Sequence, residues 1–482
     1  MATQLPRNHV ELTVDEVLAA TGGVLVARGS TERATSVSTN TRALVPGAVF
    51  VALQGKVHDG HGYIGAAAAA GATLAIVERE ADAPRGMTVV RVGSTLRALG
   101  DLARVHIERW HALGGRTLIG ITGSAGKTTT RVATAALVEK LFPGELTAAR
   151  GNLNNRIGVP TVLFSVGSEH RVAVLELGTS EPGEIAELCR IAQPDMGILT
   201  LVAAAHLEGL GSIDGVAFEK GALFRSLPRD GIAVGNGDDA RVRLLLDDAP
   251  CARRIAYGRS TAAQVRIVER TPIGMTRSRV TLSHVDGRQS TFETPLVGEA
   301  GALACAAAVS VVEAAFQARL DGAWLTSAFE KVEVGEGARR LVPHLLASGL
   351  AVIDDTYNAN PASMSSSIRA AAEMANGMNR TLVLVLGEMR ELGSQAAWGH
   401  DEVGRVAAES GAGLVIAVGG GETPRFTETA RDAGADVLVL PSVDEGLTAI
   451  VEAIPSGALV LVKGSRSVGA ERIVAELVRR HG

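Results

Sequence analysis

The segment with the clearest chemical pattern is Gly120-Ile-Thr-Gly-Ser-Ala-Gly-Lys-Thr-Thr-Thr130, which continues an apolar run. The glycines of this loop allow backbone N–H groups to approach phosphate oxygens, and the helix predicted from Lys127 directs its positive N-terminal end toward them. Lys127 can neutralise a terminal phosphate, and Thr128 is placed to ligate Mg²⁺. Ile121 stands where the eight-residue P-loop has its first glycine, so the motif is the shorter G-x-x-G-K-T. The segment predicts a nucleotide-binding loop, and the alternative is a glycine-rich turn.

A second group of polar residues lies near the ends of predicted buried strands in the same region. Glu176 lies in the strand predicted over 172–177, and a carboxylate there suits a hard cation, although it also suits a solvated or capping group. His206 follows the strand predicted over 196–202, and a lone histidine is commonly a structural residue. Lys220 lies in a predicted helix, where the simplest interpretation is a surface lysine. These residues alone leave both interpretations open.

The composition limits the function classes. The 482 residues predict about three domains, and 46% hydrophobic with 21% charged residues are sufficient for packed cores. The net charge of −5 argues against a dedicated nucleic-acid binder. The scattered cysteines lack metal-site spacing, the first residues lack an apolar signal core, and no unbroken apolar run reaches the roughly 18 residues that a membrane span needs. We therefore expect a cytoplasmic protein with no membrane span and no nucleic-acid partner.

The elements around the polar residues predict an α/β fold of three domains, over residues 1–113, 114–317 and 318–482. The first is an α/β domain with a helix over 13–20 that Thr13 and Glu16 would cap. The second alternates buried strands and helices, as in a parallel sheet covered on both faces, and has a small antiparallel patch over 262–294. The third predicts a doubly wound, Rossmann-like sheet, with strands at 351–353, 381–386, 414–418, 437–440 and 459–462.

Several further segments make the chain similar to a known family. They are Asn40-Thr-Arg-Ala-Leu-Val-Pro-Gly-Ala-Val-Phe-Val-Ala-Leu53, Asp59-Gly-His61, Gly151-Asn-Leu-Asn-Asn155, Leu175-Glu-Leu-Gly178, Ala205-His-Leu-Glu208, Asp354-Asp-Thr-Tyr-Asn-Ala-Asn-Pro-Ala-Ser-Met364, Leu386-Gly-Glu-Met-Arg-Glu-Leu392 and Val462-Lys-Gly-Ser-Arg466. With the loop form T-G-x-x-G-K-T-T, they resemble the Mur ligases, which are three-domain, ATP-dependent amino-acid ligases of peptidoglycan synthesis. Segments 151–155 and 357–361 are most typical of the member that adds D-alanyl-D-alanine to UDP-N-acetylmuramoyl-tripeptide.

The resemblance implies a two-step reaction. A substrate carboxylate attacks the γ-phosphate of ATP to give an acyl phosphate and ADP, and an amine then displaces phosphate. Because the first step brings two anions together, it needs the positive charge that Lys127 and two Mg²⁺ ions would supply. The resemblance implies that Thr128 and Glu176 bind one Mg²⁺ and that His206 binds the second. It also implies that Lys220 forms a carbamate with CO₂ that holds the second Mg²⁺, which requires a buried, neutral amine.

The resemblance assigns binding residues to a UDP-substrate domain, an ATP domain and a C-terminal ligand domain. Those for the nucleotide are Gly123, Ser124, Ala125, Gly126, Lys127, Thr128, Thr129, Arg340, Asp354, Asp355 and Asn358. Those for the UDP-linked substrate or D-Ala-D-Ala are Asn40, Thr41, Arg42, Asp59, His61, Asn152, Asn154, Asn155, Tyr357, Asn360, Lys463 and Arg466. The alternatives are a plain turn for the Asn-Ala-Asn-Pro run and a basic pair after a strand for the last two residues. We expect the chain to act as a monomer.

Several positions differ from the family pattern. Ala300, Gly301 and Ala304 stand where the family has the His-Asn…Asn set that helps to seat adenine and ribose, and each lost hydrogen bond is worth about 1 kcal/mol. Leu201-Val-Ala-Ala204 replaces Asn-x-Gly-Pro, and Asn40 replaces an aspartate. We expect a working ligase with a remodelled nucleotide pocket. The alternatives are a sibling ligase with another amino-acid substrate, a nucleotide-binding homologue with weakened or lost catalysis, and a P-loop ATPase coupled to motion.

Overall fold

A computed structural model describes residues 8–332, except 56, 81 and 150, and residues 340–482. The contacts divide the chain into two compact units. The first unit contains Met1–Gly120, Phe142–Gly178 and Glu184–Asp195, and the second contains Ile121–Leu141, Thr179–Gly183 and Met196–Gly482. The three domain boundaries expected from the sequence stay a prediction.

The N-terminal part of the first unit is built on a five-stranded sheet. Its elements are β1 (Leu12–Thr13), α1 (Val14–Thr21), β2 (Val24–Ala27), β3 (Arg33–Ala34), β4 (Ser36–Ser38), β5 (Ala48–Val51), α2 (Ile64–Ala69), β6 (Leu74–Val77), β7 (Thr88–Arg91) and α3 (Thr95–Ala112). The strand order is β2-β7-β6-β5-β4, parallel except at β2–β7. The predicted cap of α1 is confirmed, since Glu16 N donates to Thr13 Oγ1 at 3.2 Å and Thr13 N donates to the Glu16 carboxylate at 2.7 Å.

The middle of the chain alternates strands and helices, as predicted. Its elements are β8 (Thr117–Thr122), α4 (Lys127–Leu141), β9 (Leu146–Ala148), α5 (Gly158–Leu163), β10 (Val172–Glu176), α6 (Glu184–Ala192), β11 (Met196–Leu199), α7 (Leu207–Leu210), α8 (Ile213–Arg225), β12 (Ile232–Asn236), α9 (Ala240–Asp247), β13 (Arg253–Gly258), β14 (Val265–Ile273), β15 (Arg277–Ser283), β16 (Gln289–Thr294), α10 (Gly298–Phe316) and α11 (Gly322–Phe329). In the first unit, β9 and β10 pair in parallel. In the second unit, β11 to β14 are parallel and β14 to β16 form the predicted antiparallel patch.

The long apolar helix α10 is a core element of the second unit. It is the one helix of the described residues that is long and apolar enough to cross a membrane, and 61% of its most apolar stretch is buried. It packs against α4 and against β12, β13 and β14. This burial is typical of a core helix, so α10 does not indicate a membrane span.

The C-terminal part of the second unit is a six-stranded sheet with helices on both faces. Its elements are β17 (Val342–Leu345), β18 (Ala351–Asp355), α12 (Pro361–Gly377), β19 (Leu382–Gly387), α13 (Ala396–Glu409), β20 (Leu414–Val418), α14 (Arg425–Asp432), β21 (Asp436–Leu440), α15 (Val443–Ala453), β22 (Leu459–Lys463) and α16 (Glu471–His481). The order β17-β18-β22-β19-β20-β21 has apolar cores on its two faces, as a doubly wound sheet requires. The sequence did not predict β17, an antiparallel edge strand whose position tolerates Pro343.

Candidate functional site

The glycine loop between β8 and α4 is held by the segment that follows β11, and both lie in the second unit. Ser124 N donates to Leu201 O at 2.8 Å, and Thr200 Oγ1 donates to Ala125 O at 2.5 Å. Gly123 has a φ of +151°, and a Cβ built on it would lie 1.9 Å from Thr200 Oγ1. The loop therefore requires glycine at position 123, because no side chain fits beside Thr200.

The lysine and threonine that follow the loop begin α4, as the motif predicts. Lys127 Nζ donates to Gly123 O at 2.6 Å, so this ammonium group lies across the loop. Thr128 is buried in the first turn of the helix. The helix N-terminus and the Lys127 charge lie together at one place, which favours phosphate binding.

Two of the predicted metal-site residues are close to Lys127 in the second unit. Lys220 lies on α8 and is 1% exposed, which meets the condition of burial that carbamate formation requires. His206 precedes α7 in a left-handed backbone conformation with a φ of 54°. Burial lowers the pKa of His206; the charge of Glu391 opposes this effect, and the charges of Lys127 and Lys220 add to it. The structure thus brings Lys127, His206 and Lys220 into one electrostatic environment.

The sequence did not predict a role for Glu219, the residue before Lys220. Glu219 is 3% exposed, and its carboxylate accepts a hydrogen bond from Gly183 N at 2.7 Å and one from Thr179 Oγ1 at 3.5 Å. It thereby holds the segment 179–183 to α8. Two adjacent charged residues on a predicted helix gave no sign that both are buried.

Glu176 and the asparagine segment 151–155 lie together in the first unit. Glu176 is 3% exposed, and Asn154 Nδ2 donates to its Oε1 at 2.9 Å. Asn155 Oδ1 accepts hydrogen bonds from the backbone of residues 157 and 158, so it fixes the start of α5. Asn152 is exposed. The three asparagines predicted to contact substrate therefore differ, since Asn154 orients the predicted metal ligand Glu176 and Asn155 holds a helix start.

The polar residues predicted to hold the UDP-linked substrate lie in short turns of the first unit. Asn40 is exposed and its Oδ1 accepts a hydrogen bond from Arg42 N at 3.0 Å, with Thr41 between them. Asp59 binds His61 Nδ1 at 2.7 Å, and the hydrogen bonds from His61 lower the pKa of Asp59 to about 2. His61 is buried, so Asp59 holds it in place, whereas Asn40 and Arg42 remain accessible to a ligand.

A cavity of about 350 Å³ opens at the carboxyl ends of β18, β19 and β22, within the second unit. It is lined by Ala205, His206, Tyr357, Asn358, Ala359, Asn360, Arg390, Glu391, Ser465, Arg466 and Ser467. Ligands of doubly wound sheets bind at this edge. The predicted residues His206, Tyr357, Asn358, Asn360 and Arg466 therefore share one cavity.

The segment that contains Asn358 and Asn360 is both a turn and part of this site. Asn360 Oδ1 accepts from Ser363 N at 2.9 Å and caps α12, while its Nδ2 donates to Ser124 O in the glycine loop at 3.2 Å. The guanidinium of Arg340 stacks over the Tyr357 ring at 5.3 Å. The Asn-Ala-Asn-Pro run is therefore a turn whose residues line the cavity, and their contact with a ligand stays a prediction.

Two residues predicted to contact ligands, Lys463 and Asp355, form a buried ion pair. Lys463 is 2% exposed, and its Nζ donates to Asp355 Oδ2 at 2.7 Å and to Asn358 O at 3.1 Å. Burial lowers the pKa of Lys463, and the Asp355 carboxylate opposes this shift. Each charge is therefore buried against the other, and the contacts of Lys463 with the acidic peptide or nucleotide and of Asp355 with the nucleotide stay predictions. Asp354 is also internal and accepts from the Thr356 hydroxyl.

The start of α10 has no room for one of the family's polar residues. A Cβ built on Gly301 would lie 2.4 Å from Leu296 O. Ala304 is buried. The carboxylate present here is Glu299, which accepts two hydrogen bonds from Arg259 at 2.7 and 2.8 Å. A side chain at position 301 would therefore clash with the backbone, and the polar contact at the start of α10 is the ion pair of Glu299 with Arg259.

The predicted metal-site residues suit a Mg²⁺ ion that is held partly by the protein and partly by the phosphate oxygens of a substrate. Within residues 8–332 and 340–482, apart from the three omitted positions, no group of three His, Cys, Asp or Glu residues could hold a metal alone. Mg²⁺ is commonly held by one or two carboxylates together with substrate phosphates. Within the second unit, a hydroxyl at Thr128 and a buried lysine at 220 agree with such a partial set.

Comparisons with known proteins agree with the geometry. Models of the Mur ligase family match three consecutive segments: the catalytic domain model at residues 33–106, the middle domain at 121–312 and the glutamate ligase domain at 339–466. The UDP-N-acetylmuramoyl-tripeptide–D-alanyl-D-alanine ligase of Escherichia coli is 34% identical over 457 residues, which is 92% of this chain and 93% of that protein. The ligase of that name from Treponema pallidum is 34% identical over 96% of this chain and 98% of its own length.

Solved structures agree as well. MurF from Acinetobacter baumannii superposes with a TM-score of 0.86 and 28% identity, covering 98% of this chain and 100% of that one. MurF from Thermotoga maritima, solved in complex with ADP, has a TM-score of 0.77 and 25% identity, covering 92% of this chain and 97% of that one. The three-domain α/β architecture expected from the sequence is confirmed.

Proposed function

The chain belongs to the Mur ligase family, and from that premise we propose that it joins D-alanyl-D-alanine to UDP-N-acetylmuramoyl-tripeptide, with conversion of ATP to ADP and phosphate. The observation that carries the proposal is the hydrogen bond from Asn360 Nδ2 to Ser124 O at 3.2 Å. It places the glycine loop against the cavity at the strand ends of the C-terminal sheet. A phosphate site and a substrate cavity that adjoin in this way suit the transfer of a phosphoryl group to a bound carboxylate.

The chemistry follows from the charges at the glycine loop. The terminal carboxylate of the tripeptide attacks the γ-phosphorus, the bond to the bridging oxygen breaks, and ADP leaves. The free amine of the dipeptide then attacks the acyl carbon, phosphate leaves, and the amine loses a proton. Lys127 and the N-terminus of α4 offset the negative charge that gathers in the first step.

The predicted metal residues would hold Mg²⁺ at this place. Bound Mg²⁺ supplies charge neutralisation to the phosphate oxygens. Thr128, Glu176 and His206 would provide ligands, and Lys220 would provide one as its carbamate. Asn154 would orient Glu176 through the hydrogen bond at 2.9 Å. The 1% exposure of Lys220 supports the carbamate, because a buried amine favours its neutral form.

We assign a role to each of the remaining predicted residues from its position in its own unit. The loop residues Gly123, Ser124, Ala125, Gly126 and Thr129 would contact phosphates, and Arg340 and Asn358 the nucleoside. Asn40, Thr41 and Arg42 would hold the UDP-linked substrate in the first unit. Tyr357, Asn360 and Arg466 would hold the dipeptide in the 350 Å³ cavity, where Arg466 offers a guanidinium for its carboxylate. ATP and UDP-linked precursors are cytoplasmic molecules, so this function places the chain in the cytoplasm.

The test is phosphate release from ATP by the purified chain with Mg²⁺ and UDP-N-acetylmuramoyl-tripeptide, with and without D-Ala-D-Ala. We expect release that requires both substrates and a pentapeptide product by mass spectrometry. Lys127→Ala should abolish it, and Lys140→Ala on the same helix should not, since Lys140 donates to Trp324 O at 3.2 Å. Absence of product, with no ATP binding by calorimetry, would instead favour a homologue that has lost catalysis.

A separate experiment tests the carbamate. Lys220→Ala should be inactive, and short carboxylic acids should restore part of the activity by occupying the place of the carbamate. Full activity of Lys220→Ala without added acid would exclude this role for Lys220.

A further inference from the structure

The contact between His206 and Glu391 joins two distant segments of the second unit. His206 Nδ1 lies 2.5 Å from Glu391 Oε2. His206 precedes α7, whereas Glu391 lies between β19 and α13. The contact therefore links the segment after β11 with a loop of the C-terminal sheet.

The backbone on both sides is held in an uncommon conformation. His206 has a φ of 54° and Glu391 a φ of 64°, both in the left-handed region that residues other than glycine rarely adopt. Glu208 N donates to Glu391 O at 3.3 Å, so the main chains also meet. Strained positions persist where the surrounding structure fixes them, and they are concentrated at functional sites.

The contact with Glu391 uses only one of the two ring nitrogens of His206. When a histidine binds a metal through one ring nitrogen, the other N–H commonly donates to a carboxylate, which fixes the tautomer and the ring orientation. The Glu391 carboxylate is in position to accept from Nδ1–H, and this leaves the Nε2 lone pair of His206 available. Lys127 and Lys220, the residues of the phosphate and carbamate sites, are close enough to influence the same imidazole.

We propose that Glu391 is a positioning residue, which orients His206 so that Nε2 can bind Mg²⁺. This inference rests on the proposed function, because the metal role of His206 belongs to it. Glu391 reaches His206 from the C-terminal sheet, so the metal ligand is oriented only when the loop 388–393 lies against α7. The side chain of Glu391 is 56% exposed, and its removal leaves no buried charge behind.

The neighbouring residue Glu388 provides a matched control. It belongs to the same loop, and its carboxylate lies 3.4 Å from Arg390 Nε, not at His206. Substitution of Glu388 removes an acid of the same charge from the same loop without removing the contact to the imidazole. An effect of overall charge would appear in both variants, and an effect of orientation only in the Glu391 variant.

The experiment measures Mn²⁺ affinity by electron paramagnetic resonance with the full chain, a non-hydrolysable ATP analogue and UDP-N-acetylmuramoyl-tripeptide. We expect Glu391→Ala to weaken Mn²⁺ binding by roughly 10- to 100-fold and Glu388→Ala to leave it unchanged. Glu391→Gln, whose amide oxygen can still accept from Nδ1–H, should recover part of the affinity. In a His206→Ala background, Glu391→Ala should have no further effect, because the two residues act through one metal ligand.

The outcomes separate this inference from the function on which it rests. Weaker Mn²⁺ binding by His206→Ala with unchanged binding by Glu391→Ala would overturn the positioning role alone. Unchanged binding by His206→Ala would remove His206 from the metal site and this inference with it. Additive losses in the double variant would show that Glu391 acts independently of His206 and would also overturn the inference. Pentapeptide formation by the unmodified chain tests the function itself.

Discussion

The buried pair of Lys463 and Asp355 allows a sharp prediction about the C-terminal sheet. Lys463 Nζ lies 2.7 Å from Asp355 Oδ2, and the two residues are 2% and 4% exposed. The hydroxyl of Ser367 donates to the same carboxylate oxygen at 2.5 Å, and Lys463 also donates to Asn358 O at 3.1 Å. Replacing Lys463 by Met keeps most of the volume of the side chain but leaves Asp355 without its counter-charge.

The expected loss follows from the desolvation of that carboxylate. Removing one member of a buried ion pair costs about 3–5 kcal/mol, since the other charge stays in the interior. The carbonyl of Asn358 loses a donor as well, which adds about 1 kcal/mol. The double variant Lys463→Met/Asp355→Leu should recover most of this loss, because hydrophobic replacement of a buried pair is often neutral. Arg466→Ala is the matched control, since Arg466 is an exposed cation in the same segment.

Hydrogen–deuterium exchange of peptides from β18 and β22 is the suitable assay, because local protection does not require the whole chain to unfold in one step. A loss of 3–5 kcal/mol corresponds to exchange that is about 150- to 5,000-fold faster in those strands. Peptides from β5 and β6 in the first unit serve as the internal reference. Unchanged protection of β18 and β22 in Lys463→Met, with a raised KM for the tripeptide, would refute the reasoning and make Lys463 a substrate contact.

Three further predictions concern the loop, the predicted metal ligand and pH. Gly123→Ala should lower kcat/KM for ATP by at least about tenfold, because its Cβ would lie 1.9 Å from Thr200 Oγ1 and must displace the loop; steady-state kinetics checks this. Asn154→Ala should raise the Mg²⁺ concentration for half-maximal rate by roughly tenfold, since Glu176 loses its hydrogen bond; a Mg²⁺ titration that matches the unmodified chain would contradict this. Burial lowers the pKa of His106 in the folded chain, so its contribution to the free energy of unfolding is present above the unfolded pKa and is lost as the pH falls from 7 to about 5. Urea unfolding should therefore show a smaller loss of stability over this pH range in His106→Gln than in the unmodified chain.

The sequence predicted best those elements that depend on residues close to one another in the chain. The strand β8 and the start of α4 at Lys127 agree with the expectation, because an apolar run, a glycine loop and a helix former lie in order along the chain. The cap of α1 depends on Thr13 and Glu16, three residues apart, and is confirmed for the same reason. Such patterns need no knowledge of what lies opposite them in the fold.

The role of Lys463 could not be predicted because it depends on strand register. A basic residue at the end of a strand is as compatible with solvent as with the interior. In the structure Lys463 on β22 is in register with Asp355 on β18, although 108 positions separate them in the chain. The contact of His206 with Glu391 also joins distant parts of the chain, since it spans 185 positions. The first pair results from which strands are neighbours in one sheet and the second from the contact of loops that follow strands of two different sheets, and a single sequence shows neither.

The structure gives a steric reason for the residue type at Gly301, near the start of α10. In the sequence, Gly301 replaces an asparagine of the family pattern, and this replacement predicts the loss of a hydrogen bond to the nucleotide. In the structure, a Cβ at this position would lie 2.4 Å from Leu296 O, so the backbone occupies the place that a side chain would need. Restoring an asparagine here would require the turn before α10 to move. The polar contact at this helix start is the ion pair of Glu299 with Arg259.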